Sequence, residues 1–351
     1  MFYKIINVLI IYLILVISCY TAEVKNYKYT FEKKMELKGH EGSVFATYFF
    51  GDGSKIASGG KDGRVKLWDL ETGKEISTLE IQRDTIWSVS VNRINSDILR
   101  GCADGTIKLW NYPDLSIITA YDGHEDSVWS VRYLFSGDRY VSSGRDGSIR
   151  VWNSQTQQLV KEVFTSTDPV QCLAVSPDNK QFAAGFSDGK IRVFSLEDYS
   201  LIKELNDYEE DSIYSIDYSQ DGSYFAAGGR GGDIFVWDSK GYKLTYKIET
   251  YIDSVNSVKF LDNGENLVAG YSNGKIYGWN LKRNSKIYDI DADHDSVYFI
   301  SISFDKNLFA VSGKDGIIRI FSFNKIEDSL KNEEKLKVLP KKQKGKNRNG
   351  K

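Results

Sequence analysis

The chain has 351 residues, 41% hydrophobic and 27% charged, with 30 Gly, only 4 Pro and a 13% aromatic share. That composition excludes a collagen-like, coiled-coil or wholly disordered chain, since disorder needs low hydrophobicity and high net charge. The formal net charge of −2 hides a segregation: residues 331–351 hold nine Lys or Arg against two Glu, residues 1–22 only Lys4, and residues 23–330 carry a net −10.

Residues 1–22 read as an export signal, with Lys4 followed by a run from Ile5 to Ser18 that is apolar except at Asn7 and Tyr12. About 14 residues fall short of the roughly 20 that span a bilayer as a helix. Within the run, Val16-Ile17-Ser18-Cys19 resembles a bacterial lipobox, which implies lipidation of Cys19 and a protein anchored in the cell envelope. The alternative is an ordinary signal cut after Ser18 or Thr21, giving a soluble secreted or periplasmic protein. With Cys19 spent, Cys102 and Cys172 are too few for a disulfide framework, and two free thiols are expected.

After a short linker at 23–28 the chain repeats itself. Aromatic strand ends fall at Trp68, Trp110, Trp152, Phe194, Trp237, Trp279 and Phe321, 42 or 43 residues apart. Each closes a short alternating strand, as in Arg64-Val65-Lys66-Leu67-Trp68, and alternation with β-branched residues signals β structure. Six residues before each anchor a pair such as Asp62-Gly63 or Asp146-Gly147 predicts a tight hairpin turn; the fifth unit has Gly231-Gly232 instead. Upstream, apolar residues spaced by three and then two, such as Val44, Thr47 and Phe49, predict a strand with one bulged residue. A third strand precedes each turn and a fourth follows each anchor, which makes four strands per unit.

These residues resemble the WD-repeat family of β-propellers, through Gly39-His40, Gly123-His124, Trp68-Asp69 and Trp237-Asp238 and through seven copies in one register over residues 29–323. The resemblance implies an all-β fold over residues 29–325, a seven-bladed β-propeller of four-stranded antiparallel blades. It also implies that Tyr29 to Leu37 is the outer strand of the last blade and closes the ring. Behind the propeller, residues 326–351 read as a basic disordered tail, either solubilising or an electrostatic tether to anionic lipid or cell-wall polymer.

Two constellations carry polar chemistry. The resemblance implies buried networks of Trp68, Ser58, His40 and Asp62 in the first unit and Trp152, Ser142, His124 and Asp146 in the third. Ser, His and Asp also compose a catalytic triad, but the same set supplies matched donors and acceptors inside a core, and the structural reading is preferred. His294 sits one residue out of register and reads as a loop residue. Two distant Cys and three dispersed His do not make a zinc site, the Asp-Gly pairs are explained as turns, and no metal or cofactor is expected. The glycines of Gly228-Gly229-Arg230-Gly231-Gly232 open no helix, so a phosphate loop is excluded.

The second constellation is the ring of bulge residues. Phe45, Trp87, Trp129, Gln171, Tyr214, Asn256 and Tyr298 each stand 23 residues before their anchor, and five of the seven are aromatic. The resemblance places them on the top face around a central channel, beside the residue before each turn, where Lys61, Arg145, Arg230 and Lys314 are basic. Aromatic and Arg side chains are the usual anchors of protein interfaces. The expected function is a non-enzymatic scaffold, monomeric on its own, that binds a protein or peptide on this face, with nucleic acid disfavoured by the acidic body. The alternative is an enzyme or small-ligand sensor using the same channel mouth.

Overall fold

A computed structural model describes residues 27–327, except 82, 83, 209, 210, 251, 253, 293, 294, 305 and 306. The expected export signal with Cys19, most of the expected linker, His294 and nearly all of the expected basic tail lie outside the described residues. Twenty-eight strands form seven four-stranded antiparallel sheets, and the described residues include no helix. In the third blade, Val128–Tyr133, Arg139–Gly144, Ser148–Asn153 and Leu159–Thr165 lie side by side in chain order. Blades 1, 2, 4, 5 and 6 follow the same order.

Blade 7 is completed from the start of the chain: Tyr27–Leu37 lies beside Ile318–Glu327, then Leu308–Gly313 and Val297–Ile302. The strand expected from Tyr29 is therefore present and in the expected place. The described residues form two compact units. Residues 32–322 hold the body of all seven blades. The smaller unit holds the first residues of blade 7's outer strand and the last of its neighbour, where Tyr29 and Phe323 meet with ring centroids 6.0 Å apart.

The turn chemistry follows the residue types. All seven turn glycines, from Gly63 to Gly316, have φ between 69° and 83°, where a side chain is disfavoured. In six blades the Asp or Asn before the glycine accepts the backbone N–H two residues on, as Asp104 does from Thr106 at 2.9 Å and Asn273 from Lys275 at 3.0 Å. Blade 5 has Gly231 at that position and has no side chain to form the bond.

The core lies between blades as well as within them. Leu37, Val44 and Trp68 pack with Ala310 and Ile318 of blade 7, and Ile213 and Trp237 of blade 5 pack with Cys172, Ile191 and Val193 of blade 4. Two sheet faces bury each other, which is the usual way a sheet disposes of its apolar side. Cys102 and Cys172 are buried in such layers as thiols outside any disulfide, and burial pushes them up to about 11 and about 12.

Each blade's innermost strand faces the ring centre, where the backbone edge not paired within the sheet needs partners. Side chains of the preceding blade supply them. Ser88 Oγ accepts Val131 N–H at 3.1 Å, Ser215 Oγ accepts Val258 N–H at 3.1 Å and Ser257 Oγ accepts Ile300 N–H at 3.0 Å. Between blades 7 and 1, Thr47 and Ser301 exchange a bond of 2.8 Å.

Candidate functional site

The buried networks form in blades 1 and 3 from the residues the sequence singled out. His40 Nδ1 lies 3.0 Å from Asp62, His40 Nε2 lies 2.7 Å from Ser58 Oγ, and Trp68 Nε1 donates to the same hydroxyl at 2.8 Å. His124, Asp146, Ser142 and Trp152 repeat those distances in blade 3. One proton order satisfies every atom: Trp N–H to Ser oxygen, Ser O–H to His Nε2, His Nδ1–H to carboxylate. Burial alone would raise the Asp62 carboxyl, but bonds from His40 and the backbone N–H groups of Glu41 and Arg64 outweigh it and hold it at about 2. Asp146 is held well below its ordinary range in the same way, with Ser148 also contributing.

The order of bonds is that of a catalytic triad, but Ser58 and Ser142 are fully buried and each hydroxyl oxygen already accepts a Trp indole N–H, an arrangement that joins strands inside the core. Where the serine is missing, other groups take over: Trp237 of blade 5 donates to Asp207 at 2.8 Å, and Arg100 of blade 2 is buried with Nη1 2.9 Å from Thr106 Oγ1. Among the described residues no group of three or more His, Cys, Asp or Glu is arranged to hold a metal ion.

The bulges stand where the three-then-two spacing predicts. The ladder between the two innermost strands skips one residue in every blade, between Val44 and Ala46, Ile86 and Ser88, Val128 and Ser130, and at the matching places in the other four. The skipped residues are Phe45, Trp87, Trp129, Gln171, Tyr214, Asn256 and Tyr298, and all seven are half-buried. They sit at one end of the inner strands, the top face.

Three of the aromatics join across blades 7, 1 and 2. Tyr298 stacks on Phe45 with centroids 5.1 Å apart, and Phe45 meets Trp87 at 4.5 Å. Trp129 and Tyr214 stand outside this row, with the Gln171 position between them. Asn256 holds blade 7 instead, donating to the Val297 carbonyl at 2.8 Å. The Trp87 Nε1–H is buried and takes no partner among the described residues.

The basic turn residues Lys61, Arg145, Arg230 and Lys314 are exposed as expected, yet three of them have an acidic neighbour the sequence reading did not single out. Arg145 lies 3.7 Å from Asp126, Arg230 lies 3.9 Å from Asp211 and Lys314 lies 3.6 Å from Asp295. Exposed pairs of this kind contribute little to stability. Their consequence is for recognition: the rim presents both signs of charge instead of an unopposed cationic ring. The signal was available, since an Asp stands 26 residues before the anchor in six units and Gly42 replaces it in the first.

A family model described as WD domain, G-beta repeat matches residues 31–69, 73–111, 115–153, 157–195, 199–238, 243–280 and 285–322. Among curated proteins, the chain is 54% identical over 44 residues to the small ribosomal subunit protein RACK1z of Arabidopsis thaliana, covering 12% of this chain and 14% of that protein. It is 49% identical over 47 residues to the small ribosomal subunit protein RACK1y of Oryza sativa subsp. japonica, with 13% and 14% covered. It is also 46% identical over 50 residues to Cross-pathway control WD-repeat protein 2 of Flammulina velutipes, with 14% and 16% covered. The matches thus span only 14% to 16% of the length of these relatives and bear on about one repeat. The family model, by contrast, finds seven consecutive units, each spanning the outer strand of one blade and the three inner strands of the next, and the chain therefore belongs to the WD40 repeat family of β-propellers.

Proposed function

We propose that the chain is a scaffold, with a binding and not a catalytic role, that holds a protein or extended peptide on its top face. The observation that carries this reading is the bulge ring. A regular strand would turn these side chains into the packing between sheets; the bulge re-aims them, and five of the seven positions are large aromatics. The row Tyr298, Phe45 and Trp87 supplies apolar contact, and the paired charges at Arg145, Arg230 and Lys314 supply a polar rim, the usual division of an interface. Two relatives are named as proteins of the small ribosomal subunit, and membership of an assembly is in keeping with a scaffold.

The test is cross-linking in the native cell followed by mass spectrometry, comparing the parent chain with a Trp87→Ala, Trp129→Ala, Arg145→Ala variant. Cross-links from the top-face turns of blades 1 to 3 to a defined partner are expected in the parent and lost in the variant, with melting unchanged. Cross-links that persist in the variant would overturn the site.

The same reading has residues 1–22 direct export and Cys19 carry the lipid that holds the protein at the cell envelope. A Cys19→Ala variant is then expected in the soluble fraction, and equal membrane retention of both forms would remove lipidation from the proposal.

A further inference from the structure

At the end of the inner strands opposite the bulges, all seven blades contribute to one cavity of about 610 Å³. That volume lies within the range of small-molecule sites, roughly 300 to 1,000 Å³. Its wall is mostly aromatic and aliphatic, with Tyr48, Phe299 and Leu173 among the lining residues. Three cations and one acid are the charged residues of its described lining: Arg93, Arg132, Lys259 and Asp217. Arg132, Asp217 and Lys259 share one register position, 20 residues before the anchor of their blades, where the other four blades have Tyr48, Ser90, Ala174 and Ser301.

The acid is already engaged. Asp217 Oδ1 receives Lys259 Nζ at 2.6 Å and Oδ2 receives the Phe260 N–H at 3.0 Å, so both oxygens are held by blade 6. Arg132 is left without an ion pair among the described residues. Its Nη1 donates to Val131 O at 2.8 Å and Ser88 Oγ at 3.2 Å, which fixes the side chain, while Nε and Nη2 have no partner among the described residues. The guanidinium stands 5.8 Å from the Phe299 ring of blade 7, and Lys259 stands 5.9 Å from the same ring. At the rim, Arg93 lies between Phe135 and Phe304, 4.4 and 4.5 Å from their centroids.

Arg132 is half-buried and faces the cavity without an anion, and partial desolvation lowers its pKa against the opposing pull of Tyr48, Cys172 and Asp217. An arginine remains charged even so. Its free edge pairs best with a planar anion that takes two parallel N–H donors. With Arg93 exposed and held between Phe135 and Phe304, the charges beside the Arg132 position are Arg132, Lys259 and Asp217, which leave one positive charge to be met and suit a carboxylate better than a phosphate monoester carrying close to two negative charges.

We propose that this lower mouth binds a small monocarboxylate with an aromatic or aliphatic body, the carboxylate on Arg132 and the body against Phe299 and Tyr48. The ligand enters past Arg93, whose charge raises the local concentration of anions. The site lies at the opposite end of the channel from the proposed partner face and is independent of it.

The test is isothermal titration calorimetry on the purified full chain with 3-phenylpropionate, its amide 3-phenylpropionamide, and phenyl phosphate. The acid is expected to bind and the amide to bind about tenfold more weakly or worse, the loss typical of a hydrogen bond to a charged group. Phenyl phosphate is expected to bind more weakly than the acid. An Arg132→Gln variant with parental melting is expected to lose the preference for acid over amide, and the Trp87→Ala, Trp129→Ala, Arg145→Ala variant to keep it. Failure of the acid to bind, equal binding of acid and amide, tighter binding of the phosphate, or an unchanged preference in Arg132→Gln would each overturn the proposal. The comparison of acid with amide needs no substitution, so it decides the matter even if Arg132→Gln does not fold.

Discussion

Ser142 accepts from Trp152 and donates to His124, so one small hydroxyl serves two larger neighbours. Removing it leaves the Trp152 N–H and His124 Nε2 without a partner in a buried place. Ser142→Ala is therefore expected to cost about 1 to 3 kcal/mol, read as a lower urea midpoint with an unchanged slope; an unchanged midpoint would show that the hydroxyl is dispensable. Acid acts on the far end of the same chain of bonds. The Asp62 carboxyl is depressed from 3.8 to about 2, so its contribution is complete above pH 4 and is lost as the pH falls through its folded value. Between about pH 4 and 2 the parent is expected to lose melting temperature more steeply than Asp62→Asn, whose amide oxygen still accepts from His40; parallel curves would show that this carboxylate is not a source of acid lability. The network residues were legible through the family resemblance, whose Trp, Ser, His and Asp positions are all filled in two units. The bond from Trp237 to Asp207 was not, because Asp207 lies in the connection from blade 4 to blade 5 and is not one of the Ser, His and Asp positions of that pattern.

Strands and turns were legible for a related reason: their chemistry is local. A bulge shows as apolar spacing of three then two, and a tight turn as Asp-Gly. What the local pattern does not give is the space around a turn, and two glycines with nearly the same backbone differ in that respect. Gly147 has φ of 71° and a Cβ placed on it would lie 2.0 Å from the Ser166 carbonyl oxygen; Gly73 has φ of 69° with Met35 Sδ at 3.7 Å as its nearest neighbour. Alanine at Gly73 meets the conformational penalty alone, about 1 to 2 kcal/mol. At Gly147 it also displaces backbone, since Ser166 N–H is bonded back to the Gly147 carbonyl at 3.0 Å, and the total is expected at about 3 kcal/mol or more. Denaturant midpoints of the two variants measure the difference, and equal losses would mean that the Ser166 turn yields at little cost.

At the scale of the whole molecule, contacts join positions about 42 residues apart, and the sequence shows these as register positions without showing that they meet. Lys259 and Asp217 are such a pair, 42 residues apart and 2.6 Å from each other. The charged positions near Arg132 were visible in the register, but their convergence required the ring. The one long-range contact that the family resemblance did imply is closure of the ring by the strand from Tyr29 to Leu37. Leu37, 1% exposed, packs there with Val44, Trp68 and Ile318, and Glu36 lies 3.5 Å from the nearly buried Arg319. Deleting residues 27–37 strips that cover. It bares the backbone edge of Ile318–Glu327, opens the apolar layer between blades 7 and 1, and leaves Arg319 with Asp315 at 2.7 Å as its remaining acid in the described ion pairs. The truncated chain is expected to elute as aggregate in size-exclusion chromatography and to lose cooperative melting, and a synthetic peptide of residues 27–37 is expected to recover part of the monomer peak. A truncated monomer that melts at the parent's temperature would mean that blades 7 and 1 hold the ring shut through their inner strands alone, by contacts such as Thr47 with Ser301.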